Sequence, residues 1–195
     1  EMCIRDSTSG SYPLDVLFPL KEKGADIFTF HPLQSFSSKN IADSDLETMH
    51  IFIENIESEK LNEILMKINN PYHEIKSNHK SQYHLAASII SNLTTGLIDF
   101  GFDLLEEIGI DKKMALDAFE PLIVGTVNSI VKKGPSLALT GPVTRGDSET
   151  VIKHLSCLEG DDRELYRILA NKTLLMSKEK ISAEQYHKLS NILKR

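Results

Sequence analysis

His31 stands directly before Pro32 in the stretch HPLQSF, residues 31–36. Proline holds the residue before it in an extended backbone, so the imidazole falls at the end of the strand-like run DIFTF. The carboxyl edge of a sheet is where open α/β folds bind ligands. An imidazole there can donate to a substrate oxygen, and Gln34 is a second, weaker candidate in the same loop. The plainer alternative is a histidine that only ends the strand and binds its own loop. A second group lies far along the chain, in LALTGPVTRGDSETVIKHL, residues 137–155. Gly141-Pro142 and Gly146-Asp147 make this stretch stiff and sharply turned. Arg145 offers a planar fork to a carboxylate or phosphate, and Asp147 is placed to cap the helix starting at Ser148. A structural Arg145–Asp147 clamp is the competing reading.

A third group has helical spacing. Lys80, His84 and Ser88 recur at intervals of four, and Asn92 repeats the interval. Each step of four advances about 40° at about 3.6 residues per turn. Lys80 and His84 therefore share a face, Ser91 is nearly in line with His84, and Asn92 lies towards the flank. Among Leu, Ile and Ala these groups need partners, since an unpaired buried polar group costs about 1–3 kcal/mol. A cleft facing the sheet would supply them. Otherwise Lys80 is a solvated first-turn residue and His84 a satisfied core histidine.

The elements that must position these groups divide the chain. Pro13–Lys23 reads as a short helix stopped by Gly24. DIFTF and MHIFIE read as strands, with Met49, Ile51 and Ile53 alternating against His50, Phe52 and Glu54. Ser58–Asn69 has helical spacing and ends before Pro71. Strand, helix and strand in alternation predict a parallel sheet with crossovers. Beyond Pro71 the pattern is helical to the end. A long apolar helix over about 79–108 is expected to be largely buried. Asp111 caps the next helix, which carries Pro121; a further helix follows Asp147; and Ser182 with Gln185 form a capping box for the last. The reading is α/β: residues 1–72 form an incomplete Rossmann-like parallel sheet, and residues 73–195 an all-α domain. The opening EMCIRDS fits neither a periodic strand nor a helix and reads as extraneous.

The chain has 195 residues, enough for one medium domain or two small ones. Its net charge of −6 argues against a general nucleic-acid binder. Cys3 and Cys157 have no metal-type spacing, and no metal site is expected. No uninterrupted apolar run approaches the roughly 18 residues of a membrane span. No membrane partner is expected, and a cytoplasmic setting is the default.

Four segments together, TSG at 8–10, HPLQSF at 31–36, KSQYHLAASIISN at 80–92 and LTGPVTRGD at 139–147, resemble a known family. It is the Rossmann-like family whose C-terminal region is the domain of unknown function DUF2520, similar in architecture to ketopantoate reductase, pyrroline-5-carboxylate reductase and prephenate dehydrogenase. The resemblance runs over residues 8–192 and rests on the order and spacing of the segments. It implies an oxidoreductase using NADP or NAD on a small keto or imino acid. Lys80 or His84 would donate the proton and Asn92 orient the substrate. His31, Gln34, Ser91 and Arg145 would line the substrate site, and Thr8, Ser9 and Gly10 would meet the cofactor. It also implies a homodimer through the helical domain. The family pattern begins with a strand and a G-x-G-x-x-G turn, which this sequence lacks, and Ser7 stands where the family tends to carry His. The chain is therefore expected to be a fragment without the first half of its nucleotide domain. The alternative is a non-catalytic dimerisation or binding module with a vestigial nucleotide-binding half.

Overall fold

A computed structural model describes residues 4–36 and 42–194. Two compact units divide the chain, Glu1–Gly109 and Ile110–Arg195.

The first unit is built on a four-stranded sheet in the order β1 (Ile4–Ser7), β2 (Asp26–Pro32), β3 (Ile51–Glu54) and β4 (Tyr72–Glu74). β1 pairs parallel to β2, and β3 parallel to β4. This is the α/β sheet expected, with two corrections. β2 and β3 run antiparallel. The connection between them leaves and re-enters at the same edge, where the Leu33 N–H donates to the His50 carbonyl. A parallel pair needs a crossover that carries the chain back along the sheet. The second correction concerns Ile4–Ser7, which does form a strand. With a single strong apolar residue it has no periodicity to read, and its order comes from the free edge of β2 rather than from its own pattern.

Between β1 and β2 the chain makes a 3-10 turn over Leu14–Leu17 and a short helix α1 (Phe18–Lys21). α2 (Asp43–Glu47) precedes β3, and α3 (Glu59–Ile68) follows it. The Ser58 hydroxyl caps α3 by accepting from the Leu61 N–H at 3.1 Å. Asn69, in the left-handed region at φ 55°, ends the helix two residues before Pro71. Leu61 and Leu65 pack on Phe28, Ile51 and Ile53 to form the core of this unit. Each such side chain contributes about 1.5–3 kcal/mol on burial.

The long helix begins with a 3-10 turn at Ser77–His79. It continues as α4 (Lys80–Ser88), a π turn over Ile89–Leu93 and α5 (Thr94–Glu106). It was expected to be largely buried, yet no residue of α5 is buried, and Ile90 and Leu93 are 76% and 61% exposed. Apolar composition tells that a surface wants cover but not where the cover comes from. The long helix and α6 (Lys112–Lys133) are each long and apolar enough to cross a membrane by length and composition. This corrects the expectation that no stretch reaches that size. Ser, Thr and Gly interrupt the apolar runs, yet the helices stay apolar on average over a span's length.

In the second unit Asp111 caps α6, accepting from the N–H groups of Lys113 and Met114 at 3.0 Å each. α6 passes through Pro121 without a break and ends at Gly134. α7 (Pro135–Ala138), α8 (Pro142–Arg145), α9 (Ser148–Ser156), α10 (Gly160–Met176) and α11 (Ala183–Leu193) follow. Val143, Val151, Leu155, Ala170, Leu174, Leu189 and Leu193 make their core. The Gly-Pro loop is held by two devices. Asp147 caps α9, accepting from the Thr150 N–H at 3.0 Å and its hydroxyl at 2.7 Å. Gly146 has φ 73°, and the Gln185 side chain of α11 fills the space a Cβ would need.

Candidate functional site

Lys80 opens α4 and points into the sheet. It is fully buried, and its Nζ donates to Glu54 Oε2 and to Thr29 Oγ1 at 2.8 Å each. Thr29 donates its own proton to Glu54 Oε2 at 2.8 Å, closing a ring of three side chains. The other Glu54 oxygen accepts from the Ser77 hydroxyl at 2.7 Å and the Leu14 N–H at 3.3 Å. Burial pushes the Glu54 carboxyl up, but hydrogen bonds from Lys80, Ser77 and Thr29 outweigh it and hold it below its ordinary value. Alternation alone put Glu54 on the open face of β3, but it is 2% exposed. A charge is kept there because its counter-charge and hydroxyl donors come with it.

One turn on, the next two residues of α4 face a cleft of about 660 Å³ in the first unit. Its walls carry His31, Gln34, His84, Ser88, Ser91 and Asn92 with Tyr83, and its apolar part includes Leu33, Phe36 and Ile90. The structure thus brings His31, Gln34, His84, Ser91 and Asn92 together. In a regular helix Asn92 would stand about 80° from His84. The π turn over Ile89–Leu93 takes up part of that angle and rolls Asn92 back towards the cleft. The Thr94 hydroxyl supports the widened turn by donating to the Ile89 carbonyl at 3.1 Å.

His31 is the best fixed of these groups. Its Nδ1 lies 2.6 Å from Tyr83 Oη, with the two rings edge to face. Tyr83 packs in turn on Phe52, the cross-strand neighbour of His31, with ring centroids 4.4 Å apart. On the other side lies Gly10. A Cβ there would stand 2.8 Å from His31 Nε2 and 2.8 Å from His84 Cδ2, so both imidazoles are packed over Gly10 and would have to shift for any larger residue. Burial, then the positive fields of Lys80 and His84, lower the His31 pKa. Burial pushes the Tyr83 phenol up to about 12. At neutral pH the pair is therefore an uncharged imidazole and a protonated phenol.

Thr8, Ser9 and Gly10 follow β1 at the carboxyl edge. Ser9 Oγ accepts from the N–H groups of Ser11 and Tyr12, both at 3.2 Å, so the turn spends its own donors. Arg145 stands in the second unit, exposed at the end of α8, where its carbonyl accepts from Gln185 Nε2 at 3.3 Å. It contributes to the lowered pKa of Asp147, after the hydrogen bonds from Thr150. Tyr83 was absent from the sequence reading. Its signal was available: it adjoins His84 in sequence, on the turn that must face the strand carrying His31.

No protein of curated function matches this sequence. Solved structures do. Protein TM1727 from Thermotoga maritima is 24% identical and superposes with a TM-score of 0.73, covering 89% of this chain and 68% of that one. The "putative NADP oxidoreductase BF3122" from Bacteroides fragilis is 25% identical with a TM-score of 0.70, covering 90% of this chain and 65% of that one. The chain thus spans about two thirds of the length of the structures it resembles, and it shares their fold. The family model described as "Domain of unknown function (DUF2520)" matches residues 50–173, more than half of the sequence, from β3 through most of α10. The chain belongs to the DUF2520 family.

Proposed function

We propose that this chain is part of an NADP- or NAD-dependent oxidoreductase that reduces a small keto or imino acid in the His31–His84 cleft. The observation that carries the reading is convergence. His31 and Gln34 arrive from the end of β2, and His84, Ser91 and Asn92 from α4 and its π turn; all five border one cavity. A similar protein of the same fold is described as an NADP oxidoreductase, with the qualification its name carries. In this reading His31 holds the substrate oxygen and Asn92 and Ser91 orient the substrate. Lys80 is spent on Glu54 and Thr29, so the proton donor is His84.

NADP or NAD would supply the hydride when bound. At the carboxyl edge the space above Gly10 is already filled by the His31 and His84 rings, so a nicotinamide would have to pack on those rings and not on Gly10 itself. The residues at this edge do not form a diphosphate cradle, because the sequence has no G-x-G-x-x-G turn and the Ser9 turn consumes nearby N–H groups. No phosphate-binding step is assigned to this chain.

The reading includes a homodimer through the helical region, in a cytoplasmic setting. Its support is the exposed apolar surface of the long helix and α6, where Leu93, Leu122 and Val131 are 61%, 62% and 79% exposed. Large apolar side chains exposed along a helix mark a surface that a partner covers. The same surface favours the second reading, a non-catalytic dimerisation or binding module. Titration of the chain with pyruvate and with a cyclic imino acid, followed by imidazole NMR, separates the two. The enzyme reading expects shifts at His31 and His84 and not at His154 or His187. Unmoved His31 and His84 signals at millimolar ligand would favour the binding module.

A further inference from the structure

Which nitrogen of His31 carries its proton depends on the direction of one hydrogen bond. Tyr83 Oη sits 2.6 Å from Nδ1. The phenol is half-buried, and its hydroxyl has no other hydrogen-bond partner among the described residues. Giving its proton to Nδ1 pairs that donor within the fold, whereas the opposite tautomer would leave the phenol proton to solvent. Nδ1 then accepts, and the ring proton resides on Nε2. Nε2 in turn has no protein partner among the described residues. Among the described residues no buried side-chain nitrogen or oxygen is left without a partner, so Nε2 reaches solvent. It does so above Gly10, where a Cβ would come within 2.8 Å.

We propose that Tyr83 is a positioning residue that fixes His31 in the Nε2–H tautomer and presents that N–H, beside Gly10, to an acceptor oxygen on a bound ligand. The proposal rests on the cleft being a binding site, but the tautomer itself does not. Three features support the assignment. Phe52 braces the Tyr83 ring from the sheet side at 4.4 Å, so the phenol is held and not merely near. The rings of His31 and Tyr83 meet edge to face at 84°, so the hydroxyl reaches Nδ1 at 2.6 Å without the rings stacking. The charged and titratable neighbours, Lys80 and His84, both disfavour an imidazolium at position 31, and a neutral ring is the one that has a tautomer to fix. A ligand oxygen would thus meet a directional donor that loses no proton, while proton transfer is left to another group.

The test is ¹⁵N NMR of the histidine side chains in the ligand-free 195-residue chain. The unsubstituted protein is expected to show His31 with a protonated Nε2 and an unprotonated Nδ1. A through-bond correlation from the Tyr83 hydroxyl proton to Nδ1 is expected as well. In Tyr83→Phe the two nitrogen resonances should move towards each other as the tautomers mix, and the His31 titration midpoint should rise. The His50, His73 and His154 signals should stay in place. A wild-type Nδ1–H tautomer overturns the proposal, as does a His31 spectrum unchanged by Tyr83→Phe. Should Tyr83→Phe fail to fold, the wild-type correlation decides alone: its presence supports the proposal, and its absence with a resolved hydroxyl proton overturns it. None of these outcomes depends on turnover, so the tautomer can stand or fall apart from the oxidoreductase reading.

Discussion

Replacing Lys80 by Met separates a structural lysine from a catalytic one. In the folded chain Glu54 accepts four hydrogen bonds, from Lys80, Thr29, Ser77 and Leu14. The substitution removes one of them and, among the described residues, the one counter-charge within contact, in a place where Lys80 is 0% and Glu54 2% exposed. Breaking a buried pair by removing one partner costs about 3–5 kcal/mol. The three remaining donors soften the loss, so about 3 kcal/mol is expected. Urea unfolding followed by circular dichroism and tyrosine fluorescence measures it, and Lys80→Met/Glu54→Gln should recover about 1–2 kcal/mol by removing the stranded charge. The pH dependence provides a second check. The Glu54 pKa is depressed in the folded protein from an ordinary 4.5, so its contribution is present above that value and lost as pH falls through the folded pKa. Without Lys80 the buried carboxyl is pushed upwards instead, and protonation then relieves the fold. The deficit of Lys80→Met should therefore be largest at neutral pH and shrink on acidification. A loss under about 1 kcal/mol, or one that is flat from neutral to acid pH, would refute the ion-pair argument and return Lys80 to the candidates for proton transfer.

Other outcomes are expected. Gly10→Ala should force His31 and His84 apart, because its Cβ would stand 2.8 Å from each ring; displaced His31 and His84 NMR signals with a preserved fold are the readout. Gly146→Ala should lower the stability of the second unit by about 1 kcal/mol or more, since it meets both a φ of 73° and the Gln185 side chain; thermal unfolding that is unchanged would contradict this. Calorimetry of the 195-residue chain with NADPH or NADH should show no micromolar binding, given the missing glycine turn. Sedimentation should give a discrete dimer at micromolar concentration, and Leu93→Glu/Val131→Glu should weaken it at least tenfold; a clean monomer at high micromolar concentration counts against the covered helical face.

What could be read from the sequence was local, and what could not be read was decided by partners. Asp111, Asp147 and the Ser182–Gln185 box were legible because a cap acts over three residues of the same chain. Ile51 and Ile53 were legible as core because strand period fixes a face. Glu54 was misread by the same rule, since its burial depends on Lys80 arriving from 26 residues away. The strand at Ile4–Ser7 and the antiparallel β2–β3 pair were hidden for a related reason: register and direction belong to pairs, and neither strand records its neighbour. The site shows both sides. His31, His84, Ser91 and Asn92 stood out as polar residues at a strand end and on an apolar helix, and they border one cavity. Lys80 stood out by the same criterion and is drawn beneath the cavity floor, because Glu54 and Thr29 offered its charge a better home than the cleft. Spacing assigns residues to a face, but electrostatic partners on another element decide which of them turn inwards. That is why Tyr83, which no spacing rule singled out, sets the orientation of His31.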